Sequence, residues 1–262
     1  MSDSRAPYLS SRVAGAAIPP AIVLAGGRGT RLGAATADIP KPLLPVAGRP
    51  FLEWVTLWLA GQGAGRITYA AGFCGDQIAD WTDTTELQAT LMLECSLEDS
   101  PLGTGGAILH ALSDDAGDIL ALNGDSLLLC DLAGMMERYR DTGADAIAAV
   151  FEVEDAARFG TVLSDDDGRM TSFGEKQSGS GWVNGGIYIF GPRFHGMFAK
   201  TDVLSVEYDL FPQALAAGLK VMTYPVQAPF IDIGTPATLA AADGFIREHA
   251  DRFGVTAGKE NV

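Results

Sequence analysis

The chain has 262 residues, of which 47% are hydrophobic, and this is enough for one large α/β domain with a sizeable core. The net charge of −15 argues against a nucleic-acid partner, because such a partner needs a basic surface. It also argues against an anionic membrane surface, and no apolar stretch approaches the roughly 20 residues that span a bilayer. The composition therefore predicts a globular protein with neither a nucleic-acid nor a membrane partner.

The two ends of the chain and its cysteines indicate the compartment. Residues 1–17 and 251–262 are interpreted as flexible tails, and the first of them lacks the apolar block of a signal peptide. Cys74, Cys95 and Cys130 are odd in number and widely spaced, and no histidine or arginine close in sequence would lower their pKa. We therefore expect reduced, non-catalytic thiols in a cytoplasmic protein.

Strand-type apolar runs alternate with helical patterns through the first part of the chain. The predicted strands cover residues 21–25, 67–71, 91–95, 119–122 and 146–153. The predicted helices between them cover residues 51–61, 76–81, 106–112 and 131–139. This alternation predicts a Rossmann-like, doubly wound sheet that is covered by helices on both faces, in a three-layer α/β/α arrangement.

After about residue 155 the pattern becomes mixed. Two short predicted strands, 160–163 and 170–173, flank the turn SDDDGR, and a third strand is predicted at residues 185–190. A helical segment at residues 208–217 is followed by predicted strands at 222–226 and 230–233 and by a final helix at 236–249. We therefore predict one domain over residues 18–250, with a nucleotide-binding half at 18–154 and a mixed half at 155–250 that closes over it.

The first predicted strand runs into the glycine-rich segment AGGRGTRL, residues 25–32. Glycines let the backbone turn sharply, and successive N–H groups in such a turn can bind an anion. The P-loop and G-x-G-x-x-G patterns both fail here, because the GK[ST] end is missing and Leu32 stands at the third glycine position. Residues 21–50 hold four basic residues and one acidic residue, so a positive segment lies on an acidic chain. This charge fits a polyphosphate site, with a merely solvated loop as the alternative.

Several segments resemble the sugar-1-phosphate nucleotidyltransferases in their order along the chain. They are AGGRGTRL with IPKPLLPVAGRP (39–50), then SPLGTGGAI (100–108), LNGDS (122–126), FGEK (173–176), VNGGIYIF (183–190) and FIDIGTP (230–236). With SVEYDLFP (205–212), they resemble most the D-glycero-α-D-manno-heptose 1-phosphate guanylyltransferases, and the mannose-1-phosphate guanylyltransferases are close relatives. The resemblance implies the nucleotide-diphospho-sugar transferase fold. It also implies a Mg²⁺-dependent reaction of NTP with a sugar 1-phosphate that gives an NDP-sugar and pyrophosphate.

The resemblance places the nucleotide on the first half of the chain. Arg31 would hold the β- and γ-phosphates, and Lys41, framed by two prolines, would bridge phosphates near the α-phosphorus. Glu98 would accept hydrogen bonds from guanine, which suits GTP, with an ordinary surface acid as the alternative. We also expect Gly105 and Gly106 to let the nucleotide pack closely against the start of a helix. The other residues predicted to bind the nucleotide are Leu24, Ala25, Gly26, Gly27, Gly29, Thr30, Pro101, Gly103, Thr104, Asn123 and Gly124.

Two acids are predicted to hold the metal ion. Asp125 and Asp232 each end or interrupt an apolar strand, where an unpaired carboxylate is costly and a shared cation removes that cost. Mg²⁺ takes one or two carboxylates together with phosphate oxygens and water. The family places its metal on acids at these two positions, and Asp125 is also counted as catalytic. The alternative interpretation of either acid is a turn former or a helix cap.

The resemblance assigns the sugar 1-phosphate to the second half of the chain. Glu175 would bind sugar hydroxyls and Lys176 the sugar phosphate, although an isolated Glu-Lys pair is more often a solvated pair. Gly160, Asn184 and Gly185 complete the predicted sugar-phosphate site.

Two other functions and several details stay open. A non-catalytic nucleotide-sugar sensor of similar fold would be expected to lose Arg31, Lys41 or one of the acids, and all are present. A glycosyltransferase would carry a D-x-D metal motif, but Leu127 stands two residues after Asp125. Another NTP, a mannose-type sugar and a homo-oligomer all remain compatible with the sequence.

Overall fold

A computed structural model of the protein describes residues 17–155, 160–174 and 179–254. The strands in these ranges are β1 (Ala21–Leu24), β2 (Pro45–Val46), β3 (Arg49–Pro50), β4 (Arg66–Ala71), β5 (Met92–Leu97), β6 (Ile119–Asn123), β7 (Ser126–Leu128), β8 (Ala146–Val153), β9 (Thr161–Ser164), β10 (Met170–Gly174), β11 (Gly181–Phe190), β12 (Val221–Val226) and β13 (Phe230–Asp232). The predicted strands of the first half are therefore present within a few residues of their expected ends.

The described α-helices are α1 (Phe51–Gly61), α2 (Gly75–Thr84), α3 (Gly103–His110), α4 (Leu132–Thr142), α5 (Pro192–His195), α6 (Phe211–Ala216) and α7 (Pro236–Glu248). Short 3₁₀ turns cover Thr30–Thr36, Lys41–Leu43, Glu86–Ala89 and Ala250–Phe253, and a π-helical turn covers Val206–Leu210. Within the described ranges, no helix combines the length and the apolar character needed to cross a membrane.

The nine-stranded main sheet confirms the predicted mixed, doubly wound arrangement. Its strand order is β10-β9-β11-β6-β1-β4-β5, and β8 joins it by pairing with β11 and β12. The pairs β6·β1, β1·β4 and β4·β5 are parallel, whereas β11 pairs antiparallel with β6, β8 and β9. Strand β11 therefore joins the parallel first half to the mixed second half, and both halves share one sheet.

Alternation along β11 separates the two hydrophobic layers. Val183, Ile187 and Ile189 belong to the cluster that contains buried residues of α1 and α4, whereas Tyr188 and Phe190 belong to the cluster with α3 and α6. Successive side chains of a strand point to opposite faces of the sheet, so one strand supplies both layers. The helices consequently lie on both faces, as the three-layer prediction requires.

Several elements differ from their predicted bounds. Helix α3 begins three residues earlier than predicted, at Gly103, and β11 begins at Gly181 instead of residue 185. The predicted helix at 208–217 is divided between the π-helical turn and α6, which meet at Leu210 and Phe211. The strand β7 was not predicted, because three residues carry too little periodicity to be recognised.

Buried, well-packed residues continue past residue 250, the predicted end of the domain. Phe253 is only 1% exposed, and its ring packs edge-to-face on Trp54 of α1 with centroids 5.4 Å apart. The final 3₁₀ turn therefore covers α1 and belongs to the domain.

We predict that Phe253→Ala lowers the free energy of unfolding by about 3 kcal/mol, because it leaves a cavity against α1. Urea unfolding at equilibrium would measure the change. The exposed neighbour provides the control, since Arg252→Ala should cost less than about 0.5 kcal/mol. Equal stability of the two variants would show that the end of the chain does not support the core.

Candidate active site

The candidate site lies at the carboxyl ends of the parallel strands, where α/β sheets bind ligands. Strands β1 and β6 pair with Leu24 opposite Asn123, so the loops that follow them are neighbours. The Gly124 N–H donates to the Leu24 carbonyl at 2.9 Å, and a β-carbon at position 124 would lie 2.5 Å from the same oxygen. Only glycine fits there, and this close approach places Asp125 beside the glycine-rich turn.

The glycine-rich turn presents a row of unused backbone donors. Within the described ranges, none of the N–H groups of residues 26–31 donates a hydrogen bond to another protein group. Gly29 adopts φ 59°, and its carbonyl accepts hydrogen bonds from Leu32 N at 2.9 Å and Thr36 Oγ1 at 3.0 Å. These bonds fix the turn from behind while its amides stay free, an arrangement that can bind an anion.

Two arginines in this turn have no acidic partner among the residues that the structure describes. In the described part of the chain, neither Arg28 nor Arg31 forms an ion pair with a carboxylate, and both are exposed. The Arg28 guanidinium carbon lies 5.7 Å from the centroid of the Phe73 ring. The positive charge of the turn is therefore free to act on a ligand.

Lys41 is buried and paired. The residue is 6% exposed, it opens a 3₁₀ turn after Pro40, and its Nζ donates to Asp125 Oδ2 at 2.6 Å. A β-carbon at position 29 would lie 3.2 Å from Lys41 Cβ, so the glycine-rich turn packs directly on the lysine stem. Burial of an ammonium is tolerated when an acid pairs with it, and Asp125 is that acid.

Asp232 is brought to the same place by the small sheet of β7 and β13. Asp232 lies opposite Ser126, and the Ile233 N–H donates to the Asp125 carbonyl at 3.0 Å. Asp232 Oδ1 accepts hydrogen bonds from the Gly234 N–H at 2.7 Å and from Thr238 Oγ1 at 3.3 Å. These bonds hold one oxygen of the Asp232 carboxylate in a fixed position.

Lys41 and Asp232 lie next to Gly234, and Lys41 links them to Asp125. A β-carbon at this position would lie 2.6 Å from Asp232 Oδ1 and 3.6 Å from Lys41 Nζ. No group of three or more histidine, cysteine or acidic side chains able to hold a metal occurs in the described residues. A pair of carboxylates suits a cation that takes its remaining ligands from phosphate oxygens and water, so the donors present fit the predicted ion.

Glu98 directly follows β5 and lies beside the glycine-rich turn. Its Oε2 accepts a hydrogen bond from the Leu102 N–H at 2.9 Å. Its Oε1 lies 3.0 Å and 3.3 Å from where β-carbons would stand at Gly26 and Gly72. One oxygen thus fixes the loop that contains Pro101, and the other faces the two glycines next to the turn.

The start of α3 is packed differently from the prediction. A β-carbon at Gly103, which has φ 73°, would lie 2.5 Å from the Leu204 carbonyl, and that carbonyl accepts from the Gly105 N–H at 2.7 Å. Thr104 Oγ1 accepts from the Val206 N–H at 3.0 Å. The expectation that the nucleotide packs closely at Gly105 and Gly106 is therefore wrong, because the backbone of residues 202–204 fills that space.

The predicted sugar-phosphate residues fall partly within the described ranges. The Asn184 N–H donates to the Gly160 carbonyl at 3.0 Å, and Asn184 Nδ2 donates at 2.9 Å to Oε1 of Glu207, a residue that the sequence patterns do not single out. Gly185 is a packing requirement, since a β-carbon there would lie 2.6 Å from Leu128 Cδ2. Glu175 and Lys176 lie outside the described residues, and their roles stay predictions.

Burial controls the chemistry of two cysteines and a tyrosine. It raises the pKa of the Cys95 thiol to about 11 and that of Cys130 to about 12. Burial, and after it the charge of Glu207, raises the pKa of the Tyr188 hydroxyl well above its usual value. Protonated thiols are poor nucleophiles, so Cys95 and Cys130 are unsuited to nucleophilic catalysis.

We predict slow alkylation of Cys95 in the folded protein, because roughly one thiol in a thousand is ionised at about pH 8 when the pKa is about 11. Iodoacetamide labelling followed by peptide mass spectrometry should show about a tenfold increase per pH unit up to that pKa. The urea-unfolded chain is the control and should label fast at about pH 8. Fast labelling of the folded protein at neutral pH would contradict the raised pKa.

The free amides, the arginines and the two acids make this edge of the sheet the candidate phosphate site of an α/β fold. The sequence matches the Nucleotidyl transferase family over residues 20–249, and the chain belongs to that family.

Three similar proteins cover most of the chain. D-glycero-alpha-D-manno-heptose 1-phosphate guanylyltransferase from Aneurinibacillus thermoaerophilus is 33% identical over 218 residues, which make up 82% of this chain and 93% of that protein. Mannose-1-phosphate guanylyltransferase from Mycobacterium tuberculosis is 33% identical over 236 residues, 88% of this chain and 64% of that protein. HddC from Yersinia pseudotuberculosis, in its crystal structure complexed with GMP-PN, is 30% identical with a TM-score of 0.77, and the alignment covers 87% of this chain and 100% of that one. This likeness confirms the predicted fold.

Proposed function

We propose that the protein is a sugar-1-phosphate guanylyltransferase that converts GTP and a sugar 1-phosphate into a GDP-sugar and pyrophosphate. The observation that carries the proposal is the convergence of Lys41, Asp125 and Asp232 beside a turn with free amides and arginines. The two named guanylyltransferase relatives support the nucleotide and the type of acceptor. We expect the enzyme to act in the cytoplasm.

The chemistry requires two anions to meet. A phosphate oxygen of the sugar 1-phosphate attacks the α-phosphorus of GTP, the bond from that phosphorus to the bridging oxygen breaks, and pyrophosphate leaves with the bonding electrons. No covalent nucleophile of the protein is needed, so positioning and charge stabilisation supply the catalysis. The free N–H groups of residues 26–31 and the Arg31 guanidinium would bind the β- and γ-phosphates and then the leaving pyrophosphate.

Lys41 has a second role in this scheme. Its ammonium lies between the glycine-rich turn and the two acids, so it can neutralise a phosphate near the α-phosphorus while its stem holds the turn in place. Asp125 and Asp232 would hold Mg²⁺. The ion would neutralise phosphate charge and orient the nucleotide.

The guanine base and the sugar 1-phosphate would bind on opposite sides of the phosphate site. Glu98 Oε1 would accept hydrogen bonds from the guanine N1–H and amino group, because a carboxylate is an acceptor only. Gly160, Asn184, Glu175 and Lys176 would bind the sugar 1-phosphate. We infer that the product is GDP-D-glycero-α-D-manno-heptose, and mannose 1-phosphate is the alternative acceptor because an equally identical relative carries that name.

A matrix of substrates tests the function. Each of GTP, ATP, UTP, CTP and dTTP is combined with heptose, mannose and glucose 1-phosphates in Mg²⁺, and released pyrophosphate is measured by a coupled assay. The proposal predicts the highest rate with GTP and the heptose 1-phosphate. Highest activity with mannose 1-phosphate would select the alternative acceptor, and highest activity with another nucleotide would overturn the guanine assignment. Tight binding of a nucleotide sugar without any turnover would instead indicate a sensor.

We predict that Asp125→Asn lowers kcat by at least about 100-fold, because the charge that holds the ion and pairs with Lys41 is lost. Turnover should be measured per folded molecule, with the melting temperature recorded for each variant. The matched control is Asp83→Asn, which removes the same charge from an exposed position on α2 and should leave kcat unchanged. Normal Mg²⁺-dependent turnover in Asp125→Asn would remove the metal assignment.

We predict that Glu98→Gln lowers kcat/KM for GTP by about tenfold or more, since a hydrogen bond to a charged group contributes about 1.5–3 kcal/mol. Residual turnover with ATP should change little, so the ratio of the two specificity constants should fall. Glu94→Gln on the preceding strand β5 is the control, because Glu94 is exposed and pairs with Arg66. An unchanged GTP to ATP ratio in Glu98→Gln would show that another residue reads the base.

A further inference from the structure

We propose that Glu207 is a positioning residue of the sugar-phosphate half. Its carboxylate fixes the orientation of the Asn184 side-chain amide, and that amide in turn holds a bulge in β11. The bulge lies between Gly160 and the end of β6. This inference rests on the proposed function and goes beyond it by naming a residue that acts through another. Glu207 lies in the π-helical turn Val206–Leu210 and is half-buried.

Asn184 stands at an irregularity in β11. Asn184 pairs with Val150 of β8 and Tyr188 pairs with Ala148, so the register shifts within this part of the strand. The extra residues include Gly186, which has φ 70° and whose N–H donates to Asn184 Oδ1 at 2.9 Å. The oxygen of the Asn184 side chain therefore closes the bulge.

The nitrogen of the Asn184 side-chain amide forms hydrogen bonds of its own. Asn184 Nδ2 donates to Tyr188 Oη at 2.6 Å and to Glu207 Oε1 at 2.9 Å, which uses both of its hydrogens. A carboxylate can only accept, so turning the amide by half a rotation would set its oxygen against the Glu207 oxygen. Glu207 thus selects the one amide orientation that supports the bulge.

The bulge connects the two substrate regions. The Asn184 N–H donates to the Gly160 carbonyl at 3.0 Å, and Gly160 is a predicted sugar-phosphate residue. On the other side, a β-carbon at Gly186 would lie 2.6 Å from Nδ2 of Asn123, the last residue of β6, two positions before Asp125. A misplaced Asn184 would therefore displace Gly160 in the predicted sugar-phosphate site, and it would also disturb the end of β6 at Asn123.

Glu207 is itself held firmly. Its N–H donates to Ser205 Oγ at 3.2 Å, and the preceding Val206 N–H donates to Thr104 Oγ1 of α3 at 3.0 Å. Its second oxygen, Oε2, lies 3.5 Å from where a β-carbon would stand at Gly160. These bonds fix the backbone from which the Glu207 carboxylate reaches Asn184, and loss of Asn184 as a partner would leave a half-buried charge.

The test separates positioning from general loosening of the turn. Glu207→Ala removes the acceptor and should raise KM for the sugar 1-phosphate by about tenfold or more, with KM for GTP within about twofold. Glu207→Gln can still accept from Asn184 Nδ2 through its amide oxygen and should restore KM to within about threefold of the wild type. Asp209→Ala is the control, because Asp209 Oδ2 accepts from Ser205 N at 2.7 Å in the same turn without contacting Asn184.

Each outcome decides the proposal. A rise in KM in Asp209→Ala equal to that in Glu207→Ala would show that only loosening of the turn matters. A defect in Glu207→Gln as large as in Glu207→Ala would show that the charge itself meets the substrate, which also overturns the positioning role.

A second measurement does not depend on turnover. In ¹⁵N-labelled protein, the Asn184 side-chain amide protons should exchange with water more slowly in the wild type and Glu207→Gln than in Glu207→Ala. Equal exchange in all three proteins would overturn the proposal even if no sugar 1-phosphate were turned over. If the exchange pattern is as expected but no protein turns over a sugar 1-phosphate, the proposed function is rejected while the contact between Glu207 and Asn184 is confirmed.

Discussion

The contact between Lys41 and Asp125 is the interaction on which the rest of the site depends. It joins residues 84 positions apart and sets a buried ammonium against a carboxylate on the loop after β6. Burial of the ammonium without a partner would be costly, whereas the Asp125 side chain is 41% exposed, so the lysine is the member of the pair that depends on the contact. Gly124 lets the acid reach this position by close approach to β1, and the β7·β13 ladder then adds Asp232.

The charge distribution is compatible with the proposed binding of two polyanions by an acidic protein. The chain carries a net charge of −15, but its contribution at a distance is screened beyond about 8 Å at physiological ionic strength. Within that distance, a triphosphate bound at the glycine-rich turn as proposed would meet free amides and two arginines that form no ion pair with a carboxylate in the described residues. On the proposed function, the local positive charge would decide binding, while the acidic remainder would disfavour nucleic acid.

The sequence allows prediction of those features that depend on local patterns and on the order of strand ends. Strand–helix alternation is enough to predict the doubly wound sheet, and the parallel pairing of β1 with β6 brings the turn and Asp125 together. Contacts set by distant segments could not be predicted in this way. Gly105 and Gly106 look like a ligand-binding pair, but residues 202–204 fill the space beside them. Glu207 could not be assigned, because its contact with Asn184 requires both a bulge in β11 and a π-helical turn.

The central claim is that Asp125 and Asp232 share one cation beside the nucleotide. It is tested most directly by electron paramagnetic resonance titration of Mn²⁺, as a substitute for Mg²⁺, into the protein with GTP bound. The account predicts one tightly bound ion in the wild type, and loss of this ion in Asp125→Asn, in Asp232→Asn and to the same extent in the double variant. An unchanged ion in either single variant, or further loss on combining the two substitutions, would contradict a shared site.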